Sequence, residues 1–136
     1  MSEHPYFILA KVRGVVLRDG KVFLCKLAKA GFYCLPGGTL DPGETREECL
    51  KREFVEELGV VPAIGKLLHT QEILRKDGTT TLDFWYEVLN SDDFDGVDLS
   101  KCSHGFESEE VGFYDASLAG DYRPKNLFSL AADWTP

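Results

Sequence analysis

The stretch GGTLDPGETREECLKREFVEELGV, residues 37–60, holds seven carboxylates, three basic side chains and four glycines in 24 positions. Three of its glutamates, Glu53, Glu56 and Glu57, directly follow Arg52 within five residues. Like charges this close on a helix repel one another. Either solvent screens them on an exposed face, or a cation binds between them.

Local signals in this stretch predict a helix over about 45–58. Thr45 lies three residues before Glu48, which is the spacing of a capping box. Gly59 suits the C-terminal cap. Apolar residues recur every fourth position, which predicts a stripe that faces the core; they are Leu50, Phe54 and Leu58.

On such a helix the three glutamates occupy one sector. At about 100° per residue, Glu53 and Glu57 lie roughly 40° apart, and Glu56 lies roughly 60° to the other side of Glu53. Convergent carboxylates suit Mg²⁺, Mn²⁺ or Ca²⁺ and not zinc. The backbone carbonyls of Gly37 and Gly38 could turn toward the same metal.

Arg52 can offset part of this negative charge. It lies four residues from both Glu48 and Glu56, a spacing at which helical side chains form ion pairs. A bridge to Glu44, across the preceding turn, is a further option.

The rest of the chain predicts one α/β or α+β layered domain over residues 1–136. Segments rich in β-branched and aromatic residues flank turns at Asp19-Gly20 and Asp77-Gly78, which indicates two hairpins. Residues 91–110 are polar and predict a long loop; 110–116 predict a short strand and 124–134 a closing helix.

Composition narrows the function classes. Apolar residues make up 43% of the 136 residues and charged residues 28%, which is typical of a globular domain. The formal charge of -8 disfavours a nucleic acid polymer as partner. It leaves phosphorylated small molecules open, because a bound divalent metal can reverse the local charge. Four widely spaced cysteines and the absence of a long apolar run predict a cytoplasmic protein with free thiols and no membrane span.

The spacing of the fixed residues resembles the Nudix box. Gly38 is followed after five residues by Glu44, then after seven by Arg52-Glu53-Phe54. Glu56-Glu57 and Gly59-Val60 complete the pattern over 38–60. The resemblance implies an α/β/α sandwich around a mixed sheet. It also implies hydrolysis of a pyrophosphate bond in a nucleoside diphosphate linked to another moiety, with Mg²⁺ or Mn²⁺.

The resemblance also implies roles for individual residues. Glu53, Glu56 and Glu57 would bind metal, or one of them would act as the base, while Arg52 would orient them through Glu44. A Gly37 or Gly38 carbonyl could add a ligand. A further acidic ligand from a later loop could come from one of three residues, namely Glu107, Glu109 or Glu110.

Substrate contacts are predicted from side-chain chemistry. Aromatic rings near the glycines or on the later strand could stack a nucleobase, and Arg123 could contact phosphate. The candidate aromatic residues are Phe32, Tyr33, Phe84 and Tyr86.

The sequence leaves the substrate open. No downstream signature of NADH, ADP-ribose or dinucleoside-polyphosphate hydrolases is found, which favours a compact MutT-type enzyme acting on a nucleoside triphosphate. ADP-ribose or sugar-nucleotide hydrolysis is the alternative. A catalytically silent nucleotide sensor and a prenyl-diphosphate isomerase are further alternatives. Exposed sheet edges would also allow a homodimer.

Overall fold

The computed structural model describes residues 8–134. The strands and helices follow in this order: β1 (Ile8–Arg18), β2 (Lys21–Leu27), β3 (Tyr33–Cys34), β4 (Gly37–Thr39), α1 (Arg46–Leu58), β5 (Ile64–Leu74), β6 (Thr80–Val88), β7 (Ser108–Tyr114), β8 (Tyr122–Arg123) and α2 (Leu127–Ala132). The segment predicted to form the first hairpin spans 6–28, and its first two residues lie outside the described part.

The strands form one mixed sheet around the long strand β1. The hydrogen-bonded order is β5-β6-β1-β2-β3-β8, with β4 added beside β1 and β7 beside β2. β1 runs parallel to β6, and β3 runs parallel to β8. The other pairs are antiparallel. The predicted mixed sheet is confirmed.

Each face of the sheet carries its own hydrophobic core, because successive strand side chains point to opposite faces. On β1, Val16 belongs to the core under α1, and Val15 belongs to the core that α2 covers. On β6, Tyr86 and Trp85 divide in the same way. The two helices therefore sandwich the sheet, as the resemblance implied.

Helix α1 forms where its local signals predicted it. The Thr45 hydroxyl accepts from the Glu48 backbone N–H at 3.1 Å, and the Glu48 carboxylate accepts from the Thr45 N–H at 2.9 Å. Gly59 closes the helix in the left-handed conformation with φ of 71°. The core-facing stripe of Leu50, Phe54 and Leu58 is buried.

The later elements differ from the sequence prediction in their bounds. Both predicted turns are present, at Asp19-Gly20 and at Asp77-Gly78. The region 91–110 is more ordered than a loop, since it contains three short 3₁₀ turns and buries Phe94, and β7 begins within it. Helix α2 is shorter than predicted.

Two further features concern the predicted setting. No helix within residues 8–134 is long and apolar enough to cross a membrane. All four cysteines are free thiols, as predicted.

Candidate active site

The acidic end of the site begins where strand β4 meets helix α1. Gly38 on β4 lies directly against the carboxylate of Glu53, so that a Cβ added to Gly38 would stand 2.3 Å from the Glu53 carboxyl carbon. Gly37 has φ of 144°, and a Cβ there would stand 2.0 Å from the Val12 carbonyl oxygen. Gly37 is therefore required because the β1 backbone occupies the space of any side chain, whereas a side chain at position 38 would displace the Glu53 carboxylate.

Glu57 shares this end of the site with Glu53. Burial raises the pKa of Glu57, and a hydrogen bond to the Glu53 carboxyl and the charges of Glu53 and Glu107 raise it further. The guanidinium of Arg13 offsets this in part. Two carboxyl groups held in contact with little water favour either a shared proton or a bound cation.

Arg52 organises the carboxylates from one side. Its Nε donates to Glu44 Oε2 at 2.7 Å and its Nη2 donates to Glu44 Oε1 at 3.1 Å, which is a bidentate pair. The hydrogen bond from Arg52 holds the pKa of Glu44 at about 2. Of the partners that the sequence left open, Glu44 is the main one, whereas Glu48 is used by the helix cap.

Arg52 also reaches the glutamates of the helix. Its Nη1 donates to Glu53 Oε1 at 3.0 Å and to Glu56 Oε1 at 3.4 Å. The other Glu56 oxygen, Oε2, lies 2.8 Å from Nδ1 of His104. Glu56 is thus held between two side chains, while Glu53 and Glu57 contact each other.

This arrangement bears on the predicted metal site. Within residues 8–134, no three His, Cys, Asp or Glu side chains already stand in the arrangement of a formed metal centre. Glu56 contacts both Arg52 and His104, and these two contacts hold its carboxylate apart from the Glu53–Glu57 pair. The available donors are nevertheless carboxylate and carbonyl oxygens around a Glu–Glu contact, and this donor set fits a hard divalent cation.

The glutamates line one end of a large open cleft of about 960 Å³. A row of side chains from four neighbouring strands lines the cleft beyond them. Thr39 on β4 pairs with Lys11 on β1, Lys11 with Asp83 on β6, and Asp83 with Gln71 on β5. Paired residues of adjacent strands point to the same face, and all four side chains line the cleft.

Cations concentrate beside this row. Arg13 donates to the Leu35 carbonyl at 3.0 Å, and its Nε lies 3.8 Å from Asp83 Oδ2. Burial lowers the pKa of Lys11, and the positive charges of Arg13 and Arg75 lower it further. The cleft therefore joins a carboxylate end to a wall with several cations, which suits a ligand that carries both phosphate and metal.

Comparison with known proteins places this geometry in a family. The model of the NUDIX domain matches residues 9–126. The chain belongs to the Nudix family. The matched range contains the sheet, helix α1 and all of the acidic residues described above, so the observed fold is the Nudix fold.

Several curated proteins resemble part of this chain. The ADP-ribose pyrophosphatase of Methanocaldococcus jannaschii is 40% identical over 60 residues, 42% of this chain and 36% of that protein. The nucleoside triphosphatase NudI of Enterobacter sp. is 44% identical over 50 residues, 33% and 36% of the two chains. The CTP pyrophosphohydrolase of Escherichia coli is 32% identical over 68 residues, 46% and 50% of the two chains. These matches span no more than half of each curated relative.

Solved structures match over nearly the whole chain. A MutT NUDIX hydrolase from Burkholderia pseudomallei gives a TM-score of 0.74 at 22% identity and covers 95% of this chain and 98% of that chain. A UDP-X diphosphatase gives a TM-score of 0.71 at 21% identity, and the match covers 97% of this chain and 64% of that chain. At these identities the likeness shows the fold alone.

The structure separates the predicted substrate contacts into two groups. Phe32 and Arg123 line the cleft, and the Arg123 guanidinium lies 5.0 Å from the centre of the Phe32 ring. Tyr33, Phe84 and Tyr86 do not line it. Tyr33 packs in the core beneath α2, and Tyr86 packs in the core beneath α1. Strand alternation points the rings of these three residues into the two cores.

Phe84 is covered by a cation rather than exposed to the cleft. The Arg46 guanidinium lies 4.4 Å from the centre of its ring. Phe84 also packs against the core beneath α1. It therefore stabilises the start of helix α1 instead of offering a stacking surface in the cleft.

The later acidic residues separate in the same way. Glu107 lines the cleft, and its charge raises the pKa of Glu57. Glu109 lies 3.5 Å from Lys26, and Glu110 accepts a hydrogen bond from the Tyr114 hydroxyl at 2.6 Å. Of the three alternatives, Glu107 is the one that lines the cleft, whereas Glu109 and Glu110 are engaged by Lys26 and Tyr114.

Sequence reasoning missed His104, Lys11 and Asp83, which all line the cleft. The charged residues Lys11 and Arg13 flank buried Val12 in a strand whose only other charged residue is Arg18 at its end, and this alternation is a usable signal. Neither His104 nor Asp83 has a comparable sequence signal, since the residues that each one contacts are distant in the sequence.

Proposed function

We propose that this Nudix protein hydrolyses a pyrophosphate bond in a nucleoside diphosphate linked to another moiety, with Mg²⁺ or Mn²⁺. The favoured substrate is a nucleoside triphosphate or a related nucleotide, and ADP-ribose or a sugar nucleotide is the alternative. The observation that carries the proposal is the contact between the Glu53 and Glu57 carboxyl groups against Gly38, at one end of a cleft with a cationic wall.

The donor set supports a divalent metal at the acidic end. Glu53 and Glu57 would hold it, with Glu56 and Glu107 close by and a Gly37 or Gly38 carbonyl as a further donor. A metal bound there would act as a Lewis acid on phosphate oxygens and would lower the pKa of a water molecule.

The protein's own groups then have distinct tasks. Arg52 and Glu44 hold the carboxylates in place through their bidentate pair. One of Glu53, Glu56 and Glu57 accepts the proton of the attacking water, as general bases in hydrolases do. The cations Lys11 and Arg13 attract the negatively charged substrate into the cleft by long-range electrostatics.

The names of the relatives support the reaction class. An ADP-ribose pyrophosphatase, a nucleoside triphosphatase and a CTP pyrophosphohydrolase share short stretches of sequence with this chain. All three names refer to nucleotides. The aligned segments are too short to carry the choice among these substrates.

A silent nucleotide sensor is the second candidate. It is supported by the engagement of Glu56 with Arg52 and His104, because those contacts compete with metal binding. The complete set of acidic residues in 38–60 favours the enzyme.

A substrate panel tests both candidates. Nucleoside triphosphates, oxidised dGTP, ADP-ribose, sugar nucleotides, NADH and dinucleoside polyphosphates are incubated with Mg²⁺, Mn²⁺ or a chelator, and products are separated by ion-exchange chromatography. Hydrolysis of one class only with metal supports the enzyme. Metal-dependent nucleotide binding without hydrolysis of any substrate supports the sensor.

Two further proposals concern the setting of the protein. We propose a homodimer through the edge strand β5, which is supported by the exposed side chains of Leu67 and Leu74 on that strand. Light scattering coupled to gel filtration tests it. We also propose a cytoplasmic location, which the four free thiols support.

A further inference from the structure

One buried carboxylate in the cleft has an acceptor atom that the protein does not use. Asp83 is only 4% exposed. Its Oδ2 faces Arg13 Nε at 3.8 Å, but its Oδ1 has no hydrogen-bond partner among the described residues. Buried carboxylate oxygens are normally satisfied, because leaving one unpaired costs about 1–3 kcal/mol or more.

The surroundings of Asp83 indicate what kind of group could satisfy it. The neighbouring side chains in its row are Lys11 on one side and Gln71 on the other. A phosphate is disfavoured next to Asp83, because both carry negative charge. A neutral group with an N–H or O–H donor is favoured.

The position of Asp83 favours the base end of a nucleotide. Thr39 and Asp83 lie two strands apart, which is about 10 Å at the usual strand spacing. Thr39 follows Gly38, where the Glu53 carboxylate lies. This span is comparable with the reach from a nucleotide's phosphate to the far edge of its base. Phe32 and Leu35 line the same cleft and offer apolar surface for a ring.

The order of donors and acceptors selects among bases. Asp83 is the register partner of Lys11, so that a carboxylate acceptor and an ammonium donor lie on neighbouring strands in the same row. An edge with an exocyclic amine next to an unprotonated ring nitrogen matches this pair, and cytosine and adenine both have such an edge. Uracil and hypoxanthine place a carbonyl oxygen and a protonated ring nitrogen at the same two positions, so both contacts become unfavourable.

We propose that Asp83 selects the base: its carboxylate accepts a hydrogen bond from the exocyclic amine of cytosine or adenine, while Lys11 donates to the adjacent ring nitrogen. The inference rests on the proposed nucleotide site and deepens it by naming the base edge. A sugar hydroxyl fits less well, since a vicinal diol would use both carboxylate oxygens and Oδ2 already faces Arg13.

Binding of nucleoside monophosphates tests this without any need for hydrolysis. Calorimetry compares CMP with UMP and AMP with IMP, because the members of each pair differ only at the edge in question. Wild-type protein should bind CMP at least about tenfold more tightly than UMP, or AMP at least about tenfold more tightly than IMP. The pair that shows the preference identifies the base.

Asp83→Asn is the matched change at the site, since it keeps the shape and replaces one acceptor oxygen by a donor. The preference should fall at least fivefold, mainly through tighter binding of UMP or IMP. A merely structural role for Asp83 would weaken both members of a pair equally. Asp92→Asn, at a solvent-exposed carboxylate, makes the same charge change and should leave the preference unchanged.

Three results would overturn the inference. Wild-type affinities that differ by less than twofold within both pairs would overturn it, and this result does not depend on the variant. Circular dichroism checks whether Asp83→Asn is folded. An unchanged preference in a folded Asp83→Asn protein would do so as well. Absence of binding by all four nucleotides would overturn the proposed function together with the inference, whereas equal binding would overturn the inference alone.

Discussion

The acidic end of the cleft comes from one continuous segment, 37–57, whereas the polar wall is assembled from strands β1, β5 and β6 and from later loops. At the acidic end, the two glycines of strand β4 and one capped helix fix the positions of the carboxylates. At the polar wall, Lys11 meets Asp83 only because β1 and β6 pair in parallel at one register. The residues proposed for the chemistry therefore lie close together in the sequence. The residues proposed for substrate recognition come from separate strands and meet only in the folded sheet.

The first prediction concerns the chemistry of the acidic end and carries the largest effect. Glu57→Gln should lower kcat by at least about 100-fold, because the amide keeps the shape of the side chain and loses its charge and basicity. Steady-state kinetics with Mg²⁺ and the preferred substrate measure this. Full activity of the variant, with metal still required, would contradict the role given to Glu57.

The second prediction concerns the support of that end. Glu44→Gln should lower the free energy of unfolding at pH 7 by roughly 2 kcal/mol, since Arg52 loses a charged bidentate partner. The pKa of Glu44 is lowered from 4.5 to about 2 in the folded state. Its contribution is therefore fully present above about pH 4.5 and is lost as the pH falls toward 2.

Urea unfolding at pH 7 and at low pH measures this contribution. The difference between wild type and Glu44→Gln should shrink as the pH falls from 4.5 toward 2. If the two proteins are equally stable at pH 7, the Arg52–Glu44 pair does not hold the site together.

The third prediction concerns the polar wall. Lys11→Met should raise KM about tenfold with a smaller change in kcat, because the side chain binds substrate and lies away from the reacting bond. Lys51→Met, on the exposed face of helix α1, is the matched control and should leave KM unchanged. If Lys11→Met lowers only kcat, Lys11 takes part in the chemical step. The distinction between a catalytic acidic end and a substrate-binding wall would then be wrong.

The smallest expected effect lies outside the site. Thr45→Ala should lower the free energy of unfolding by about 1 kcal/mol, because the helix loses its cap, while kcat per folded molecule stays near the wild-type value. Thermal unfolding and kinetics on the same sample measure both. A stable but inactive Thr45→Ala protein would show that the cap also positions the glutamates.

The acidic end could be predicted because its determinants are local. The capping box, the apolar stripe and the glutamate spacing all lie within one helix, so helical geometry alone placed Glu53 beside Glu57. The same geometry could not predict that Glu56 would turn toward His104. That contact depends on a 3₁₀ turn far along the chain.

The sequence could not place the candidate aromatic rings for a related reason. Alternation along β6 showed that Phe84 and Tyr86 share a face, but it could not show that this face packs under helix α1. The other face carries Asp83 into the cleft, and a single buried aspartate in an apolar strand has no sequence signal of its own. Predicting these positions would require the pairing register of four strands, which the sequence alone does not provide.

Binding of Mn²⁺ tests the central claim most directly, because the claim is that Glu53 and Glu57 form a cation site. Calorimetric titrations would compare wild-type protein, the double variant Glu53→Gln/Glu57→Gln, and Glu47→Gln, an exposed glutamate on the same helix. The account predicts Mn²⁺ binding by wild type and Glu47→Gln and its loss in the double variant, with all three folded. Equal Mn²⁺ binding by all three proteins would contradict it.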